Sequence, residues 1–266
     1  MPLTKYATII RLAWQRSLTY RFKVLSYRIG EVMEMIVLIF MWSAIYSTQD
    51  VIRGFTQKEM ITYILFGNLI NVAVRNFLSE VVAKDIKDGR LSVFLVRPMP
   101  YFRYIIAREI GRASLATFLS VLSQCIVILF FSSSLILQTR LLPILIILLM
   151  LPLALLMELL LSYLIGLIAF WAEEVDGLYA VIDRLKKFFS GGYFPLSLLP
   201  PAFVHVSFLL PFAYSFFVPA QLYLGKIDIA QGLKGIGVQL VWILLLYGVI
   251  QIVWRLGLKK YEGIGM

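Results

Sequence analysis

The sequence predicts an all-α integral membrane protein with six transmembrane helices, and three observations support this fold class. Hydrophobic residues make up 61% of the 266 residues and charged residues only 15%, whereas a soluble domain averages roughly 25% charged residues. Several apolar runs reach the length of about 20 residues that crosses a hydrocarbon core of roughly 30 Å. The runs do not alternate with period two, which favours helices over barrel strands.

The charged residues predict topology rather than a nucleic-acid partner. The formal net charge is +10, but Lys and Arg lie at the ends of the apolar runs, where they indicate the cytoplasmic side and contact with anionic lipid. Cys125 is the single cysteine and His205 the single histidine, too few for a disulfide or a Cys/His metal cluster. We therefore expect no metal and no nucleic acid.

The chain carries no recognisable motif for catalysis of its own. It has no Gly-x-x-x-x-Gly-Lys-Ser/Thr loop that would bind phosphates and no Gly-x-Ser-x-Gly nucleophile elbow. The sequence thus predicts a protein that is not an enzyme and holds no cofactor in this chain. Any ATP chemistry needs a partner subunit.

The N-terminal residues 1–28 are predicted to form a basic amphipathic helix in the cytoplasmic interface, with a plain solvated leader as the alternative. Apolar residues recur there at helical spacing. The positive charges are supplied by Lys5, Arg11, Arg16 and Arg21. Spans at 30–47 and 60–78 follow, and we expect the short mixed-charge turn between them to lie outside.

The middle of the chain combines a strongly basic connection with two further spans. Seven basic residues between 80 and 112 predict a cytoplasmic location for this connection. They are Lys84, Lys87, Arg90, Arg97, Arg103, Arg108 and Arg112. Spans are predicted at 113–131 and 141–170, and the turn between them, with Arg140 as its one charge, is expected outside.

The last third of the chain leaves two topologies open. Residues 175–193 have a helical pattern but carry several charges, and residues 203–224 are apolar but broken by prolines. Either the first segment crosses and the second dips in and returns, or the first is interfacial and the second crosses. Charge alone favours the second topology. A clean span at 235–256, with Arg255 at its end and Lys259 and Lys260 after it, places the C-terminus on the cytoplasmic side.

Ionisable residues inside predicted spans are candidates for a transport pathway, because charges at the bilayer centre are costly and usually face protein or water. Glu158 either faces a substrate path or forms a helix-to-helix hydrogen bond. Asp183 and Lys187 have the spacing of a same-face ion pair, and Arg184 and Lys186 would add positive charge to an exit pathway. We expect neutralisation of Arg184 to reduce export without reducing assembly.

Two function classes can be weighed from these residues alone. An ion-coupled secondary transporter would use the intramembrane carboxylates Glu158 and Asp183. A membrane-embedded lipid-modifying enzyme would need a cluster of His, Asp or Glu at one membrane face. The cluster Glu173, Glu174 and Asp176 lacks histidine partners, which disfavours the enzyme.

Several short motifs are distributed along the chain. The basic connection contains residues 88–91 (DGRL) and 95–98 (LVRP). The C-terminal half carries the segments 191–200 (GGYFPLSLLP), 210–214 (LPFAY), 218–220 (VPA) and 224–226 (LGK). These motifs resemble the permeases of ABC type-2 transporters, the membrane-spanning subunits of ABC exporters, and the first two resemble the cytoplasmic connection of that family. The resemblance extends over essentially the whole chain as a single transmembrane domain, 1–266.

The resemblance implies an architecture and a set of site residues. Residues 175–193 would be the fifth span, 82–97 a cytoplasmic coupling segment, and 195–219 a re-entrant gate on the outer side. The coupling residues would be Lys84, Asp85, Ile86, Lys87, Asp88, Gly89, Arg90 and Leu91. The outer gate would use Gly191, Gly192, Pro195, Pro200 and Pro211, and the pathway candidates are Glu158, Asp183, Arg184 and Lys187.

The resemblance also implies partners and location. A separate ABC ATP-binding subunit would hold ATP and magnesium, and two permeases, identical or related, would form a homodimer or heterodimer. We expect the chain to lie in a bacterial cytoplasmic (inner) membrane with both termini inside. It would move a drug-like molecule, lipid, peptide or glycan outward.

Overall fold

The computed structural model describes residues 3–131, 135–172 and 176–261 and consists almost entirely of helices. Glu173 and Glu174, two members of the acidic cluster considered above, lie outside the described residues. The helices are α1 (Leu3–Thr19), α2 (Arg21–Ile45), α3 (Gln57–Val74), α4 (Leu78–Lys87), α5 (Leu91–Leu95), α6 (Tyr101–Phe131), α7 (Leu141–Gly166), α8 (Asp176–Phe189), α9 (Pro201–Leu209), α10 (Phe212–Ser215), α11 (Phe217–Tyr223) and α12 (Ile229–Lys260). Strands β1 (Val51–Ile52) and β2 (Phe55–Thr56) form a small antiparallel hairpin, and 3-10 turns cover Leu167–Phe170 and Leu196–Leu198.

Within the described residues, four helical segments are long and apolar enough to cross a membrane. They are Gln57–Lys87, Tyr101–Leu129, Leu141–Phe170 and Ile229–Lys260. This confirms an all-α membrane protein, while the count of six spans stays a prediction. Helix α2 has 25 residues, about 37 Å, but carries charges in its first half. Helix α8 has 14 residues, about 21 Å, which is shorter than the hydrocarbon core.

Several helix boundaries differ from those predicted. The predicted interfacial segment 1–28 divides at Tyr20, so that its last residues belong to α2. The helix of the third span begins at Tyr101 rather than at residue 113 and carries Arg103, Arg108 and Arg112 in its first turns. Hydropathy locates the apolar part of a helix, whereas the helix itself continues into the charged interface. The fourth span matches its prediction, since α7 and its 3-10 extension together cover Leu141–Phe170.

Helix α7 lies at the centre of the molecule and packs against α3, α4, α10, α11 and α12. Its inward residues Met150, Ala154, Leu159 and Tyr163 are almost completely buried. Helix α12 packs along α7 and approaches the 3-10 turn Leu167–Phe170 closely at Gly257, where an added Cβ would lie 2.2 Å from Phe170 Cδ2.

The two ends of the bundle differ in charge and construction. At one end, named here the basic end, lie α1, α4, α5, the start of α6 and the C-terminus of α12. At the opposite end, Arg53 and Gly54 have positive φ angles of 45° and 81° in the hairpin turn, as a type I′ turn requires. Lys226 Nζ lies 2.8 Å from Glu59 Oε1 and donates to Gly54 O at 2.7 Å, which ties the hairpin and the start of α3 to the segment before α12.

Candidate functional site: a polar cavity, a gate segment and a docking surface

A polar cavity of about 170 Å³ lies among α2, α3, α7, α8 and α10. Its position between apolar helices is unusual for so many charged groups, since an unpaired charge in hydrocarbon costs several kcal/mol. The charged and amide residues that line it are Glu31, Glu34, Asn68, Asn71, Arg75, Asn76, Glu158, Asp183, Lys186 and Lys187. Three of the four predicted pathway residues are therefore brought together.

Glu158 forms an ion pair with α8 inside the cavity. It lies near the middle of the helical run Leu141–Phe170, and its side chain is 8% exposed. Lys186 Nζ of α8 lies 2.5 Å from Glu158 Oε2, and Ser215 Oγ donates to Glu158 Oε1 at 3.4 Å. Each charge is thus satisfied by the other, and the pair joins α8 to the central helix.

Lys187 has a different partner from the one predicted. Its ammonium group donates to Glu34 Oε1 of α2 and lies 4.8 Å from the centroid of the Tyr193 ring. Among the described residues Lys187 makes no ion pair with Asp183, which lines the cavity with an exposed carboxylate. The favourable spacing within one helix is overridden because α2 offers a closer acid.

Arg184 lies on the exposed face of α8 and does not line this cavity. Its role in a pathway stays a prediction.

Glu31 is the centre of a second charged group, toward the basic end. Arg28 Nη1 lies 2.6 Å and Arg75 Nη1 lies 3.6 Å from its carboxylate oxygens, and Ser120 Oγ donates to it at 3.3 Å. The guanidinium carbon of Arg75 also lies 5.6 Å from the centroid of the Phe77 ring. This group joins α2, α6 and the junction between α3 and α4.

Sequence reasoning did not select Glu31 or Glu34 as site residues. Their spacing in the sequence could have indicated them. Arg28, Glu31 and Glu34 follow each other at intervals of three and therefore share one face of α2. Charges aligned on one face of a membrane helix point to a protein or water environment rather than to lipid.

Two of the predicted outer-gate residues, Gly191 and Gly192, lie at the end of α8, before the predicted gate segment 195–219. Gly191 has a φ of +82°. Its N–H donates to Phe188 O at 3.2 Å, and the N–H of Gly192 donates to Lys187 O at 2.9 Å. These two bonds form a Schellman cap. Tyr63 Oη donates to Gly191 O at 2.7 Å, so the end of α8 is held against α3.

The prolines of the predicted gate each precede a short helical element. Pro195 precedes the 3-10 turn, Pro200 is the N-cap of α9, and Pro211 is the N-cap of α10. Proline suits these positions because it lacks the N–H that an N-terminus leaves unpaired. The gate segment 195–219 is thus a chain of short helices rather than one continuous span.

Phe216 packs the predicted gate segment against α3. The residue is almost completely buried. At Gly67 an added Cβ would lie 2.4 Å from Phe216 Cζ. Only a glycine on α3 leaves room for this ring.

The predicted coupling residues divide into a buried and an exposed set. Asp85, Ile86 and Leu91 are buried, whereas Lys84, Asp88 and Arg90 are exposed, and Lys87 and Gly89 are intermediate. Gly89 has a φ of +70°, which turns the chain between α4 and α5 at low steric cost. The sequence pattern alone did not separate the two sets.

Asp85 anchors the predicted coupling segment to the membrane helices. Tyr101 Oη of α6 donates to Asp85 Oδ2 at 2.9 Å, and Arg90 Nε lies 3.4 Å from Asp85 Oδ1. The hydroxyls of Ser92 and Tyr261 are 3.3 Å apart, which links α5 to the end of α12. Helices α4 and α5 are therefore mounted on α6, α7 and α12.

The exposed side of this segment presents apolar groups that sequence reasoning did not select. Val93, Leu95 and Val96 are 50%, 47% and 85% exposed. Together with Lys84, Asp88 and Arg90 they form what we call the coupling surface. Grouped exposed apolar side chains rimmed by charges are typical of a protein-binding patch.

The described residues contain no group of three or more His, Cys, Asp or Glu side chains that could hold a metal ion.

Comparison with known proteins gives one family. The sequence model of the family described as ABC-2 family transporter protein matches residues 32–265, which is most of the chain. A search of curated proteins found no match.

Proposed function

The chain belongs to the ABC-2 transporter family, and we propose that it is the permease subunit of an ATP-driven exporter. A separate ATP-binding subunit would supply ATP hydrolysis, with ATP and magnesium bound there. The observation that carries the proposal is the coupling surface, because it offers exposed apolar and charged groups on a segment fixed to the three helices α6, α7 and α12.

The mounting of the coupling surface explains how force would pass to the membrane helices. A displacement of α4 or α5 would be transmitted to α6 by the hydrogen bond between Tyr101 and Asp85. It would be transmitted to α12 by the contact between the hydroxyls of Ser92 and Tyr261. The junction between α3 and α4 is in turn held by Arg75, whose guanidinium lies near Glu31 of α2. Rotation of a docked ATPase would thus move α2 and α3, which line the polar cavity.

The proposed orientation places the basic end in the cytoplasm, with both termini there. Basic residues mark cytoplasmic connections, and this end carries the basic connection as well as Lys259 and Lys260 of α12. In the proposed six-span topology, α2 is the first span and α8 the fifth. Their charges support this placement, since Lys187 of α8 meets Glu34 of α2.

We propose that the polar cavity is part of the pathway and that a second copy or a related chain completes it. The cavity volume of about 170 Å³ is below the roughly 300–1,000 Å³ of typical ligand pockets. A drug-like molecule, lipid, peptide or glycan would therefore need walls from two chains. The exposed face of α8, with Asp183 and Arg184, is the part of the fifth span left for such a partner.

Capture of the ATPase tests the proposal. The tagged full-length chain is purified in mild detergent, and copurified ATP-binding subunits are identified and assayed for ATP hydrolysis. Val96→Glu on the coupling surface is expected to abolish capture. Val51→Glu serves as the matched control, because Val51 is 54% exposed on the hairpin at the opposite end. Equal capture by both variants would reject the coupling surface as the docking site.

An ion-coupled secondary transporter is the second candidate, favoured by the intramembrane carboxylate of Glu158. Its expected signature is transport that persists with a partner ATPase unable to hydrolyse ATP. Loss of transport with that partner supports the exporter.

A further inference from the structure

A second cavity, of about 560 Å³, opens at the basic end away from the polar cavity. We call it the aromatic groove. One wall is residues 94–103, which connect α5 to α6, and the other is the C-terminal half of α12. Its lining includes the aromatic residues Phe94, Tyr101, Phe102, Tyr163, Tyr247 and Trp254.

The walls of the groove are held by ring contacts. Trp254 stacks on Tyr101 with ring centroids 6.1 Å apart, and Phe102 contacts Tyr247 edge to face at 6.2 Å. Tyr and Trp are the residues that favour the boundary between lipid tails and headgroups. Their position near the end of a membrane-spanning helix places the groove at that boundary.

The charge of the groove is positive. Arg97 and Arg103 line it and are exposed, and no acidic residue is among its described lining. The guanidinium carbon of Arg97 lies 5.1 Å from the centroid of the Phe94 ring. Two exposed arginines without an acidic neighbour in the lining would attract an anionic group.

The groove continues along α12 into a stripe that is apolar beyond Gln251. From Trp254 the stripe passes Gln251 and Tyr247 and continues through Leu244 and Leu240, with steps of three or four residues that keep one helix face. Tyr247, Leu244 and Leu240 are 48%, 72% and 47% exposed. The stripe is about 21 Å long, longer than the roughly 15 Å of one hydrocarbon leaflet.

We propose that the aromatic groove binds one anionic phospholipid from the leaflet that surrounds the basic end. Its phosphate lies at Arg97 and Arg103, and an acyl chain follows the stripe toward Leu240. The apolar stripe makes a lipid, rather than a soluble phosphate, the occupant. The site is separate from the polar cavity and does not depend on the exporter proposal.

Fluorescence quenching by brominated lipid tests this site on the full chain. The protein is reconstituted into phosphatidylcholine vesicles with a minor fraction of either brominated phosphatidylglycerol or brominated phosphatidylcholine. The chain has five tryptophans, so Trp254→Phe isolates the Trp254 signal. We expect brominated phosphatidylglycerol to quench Trp254 with an affinity roughly thirtyfold higher than that of brominated phosphatidylcholine. This ratio is the effect of two basic residues at an anionic membrane surface.

Arg97→Gln/Arg103→Gln is expected to remove this preference, whereas Lys234→Gln, at the other end of α12, keeps it. Equal quenching of Trp254 by both lipids, or a preference unchanged in the double variant, would overturn the proposal. A variant-free measurement is native mass spectrometry of the wild-type chain. Retained phosphatidylglycerol that excess inorganic phosphate does not displace supports the lipid site, and displacement by inorganic phosphate contradicts it.

Discussion

Lys186 Nζ lies 2.5 Å from Glu158 Oε2, so an ion pair joins the short helix α8 to the central helix α7. The Glu158 side chain is 8% exposed and that of Lys186 17% exposed. On the same helix, Lys187 meets Glu34 of α2. Two of the charges that make α8 a poor membrane span by hydropathy are therefore matched by acids on two other helices.

The Glu158–Lys186 pair gives a first prediction about stability. Lys186→Met leaves the buried Glu158 carboxylate unpaired and is expected to cost about 3 kcal/mol, the lower end for breaking a buried pair, because the Lys186 side chain is partly exposed. Glu158→Gln/Lys186→Met removes both charges and should regain most of that loss. Thermal unfolding of the detergent-purified chain measures both variants. A double variant no more stable than Lys186→Met would show that the pair does not act as a unit.

Arg184 gives a prediction about transport. In the proposed six-span topology α8 is the fifth span, and a charge exposed on a membrane helix is favourable only where it faces water or protein. The exposed face of α8 is therefore expected to face the pathway. Arg184→Gln should lower ATP-dependent transport in proteoliposomes several-fold, with Arg184→Lys retaining it. Copurification of the ATPase shows that assembly is intact. Normal transport by Arg184→Gln would remove Arg184 from the pathway.

Gly191 gives a prediction about the start of the gate. Its φ of +82° is strained for any residue with a Cβ, and an added Cβ would lie 2.8 Å from Tyr63 Oη. Gly191→Ala is expected to destabilise the chain by more than the about 1–2 kcal/mol of backbone strain alone. Gly225→Ala isolates the strain, because Gly225 has a φ of +69° and open space around it. Equal melting temperatures for the two variants would show that the Tyr63 contact adds nothing.

Tyr101 gives a prediction about coupling. Tyr101→Phe removes the hydrogen bond to the buried Asp85 and should cost about 1.5–3 kcal/mol, as for hydrogen bonds to charged groups. We also expect less ATP hydrolysis to be coupled to transport, while capture of the ATPase persists. Tyr104→Phe is the control, since the described residues give its hydroxyl no hydrogen-bond partner. Tight coupling in Tyr101→Phe would show that force reaches α6 by another contact.

The sequence by itself determined the class of the molecule and much of its linear plan. Apolar runs such as Leu141–Phe170 could be delimited because the bilayer acts on each segment independently of its neighbours. The basic connection could be delimited for a similar reason, since charge bias is a property of a few consecutive residues. The assignment of Pro195, Pro200 and Pro211 to a gate came from the family resemblance and stays a prediction.

Only the tertiary structure decided which charges meet. Glu34 and Lys187 are 153 residues apart in the chain, and no local pattern shows that α2 brings an acid closer to Lys187 than its own helix does. The buried side of the coupling segment was hidden in the same way, because Asp85 is held by Tyr101 of another helix. Partner choice and burial depend on packing between distant segments, which propensity and hydropathy do not contain.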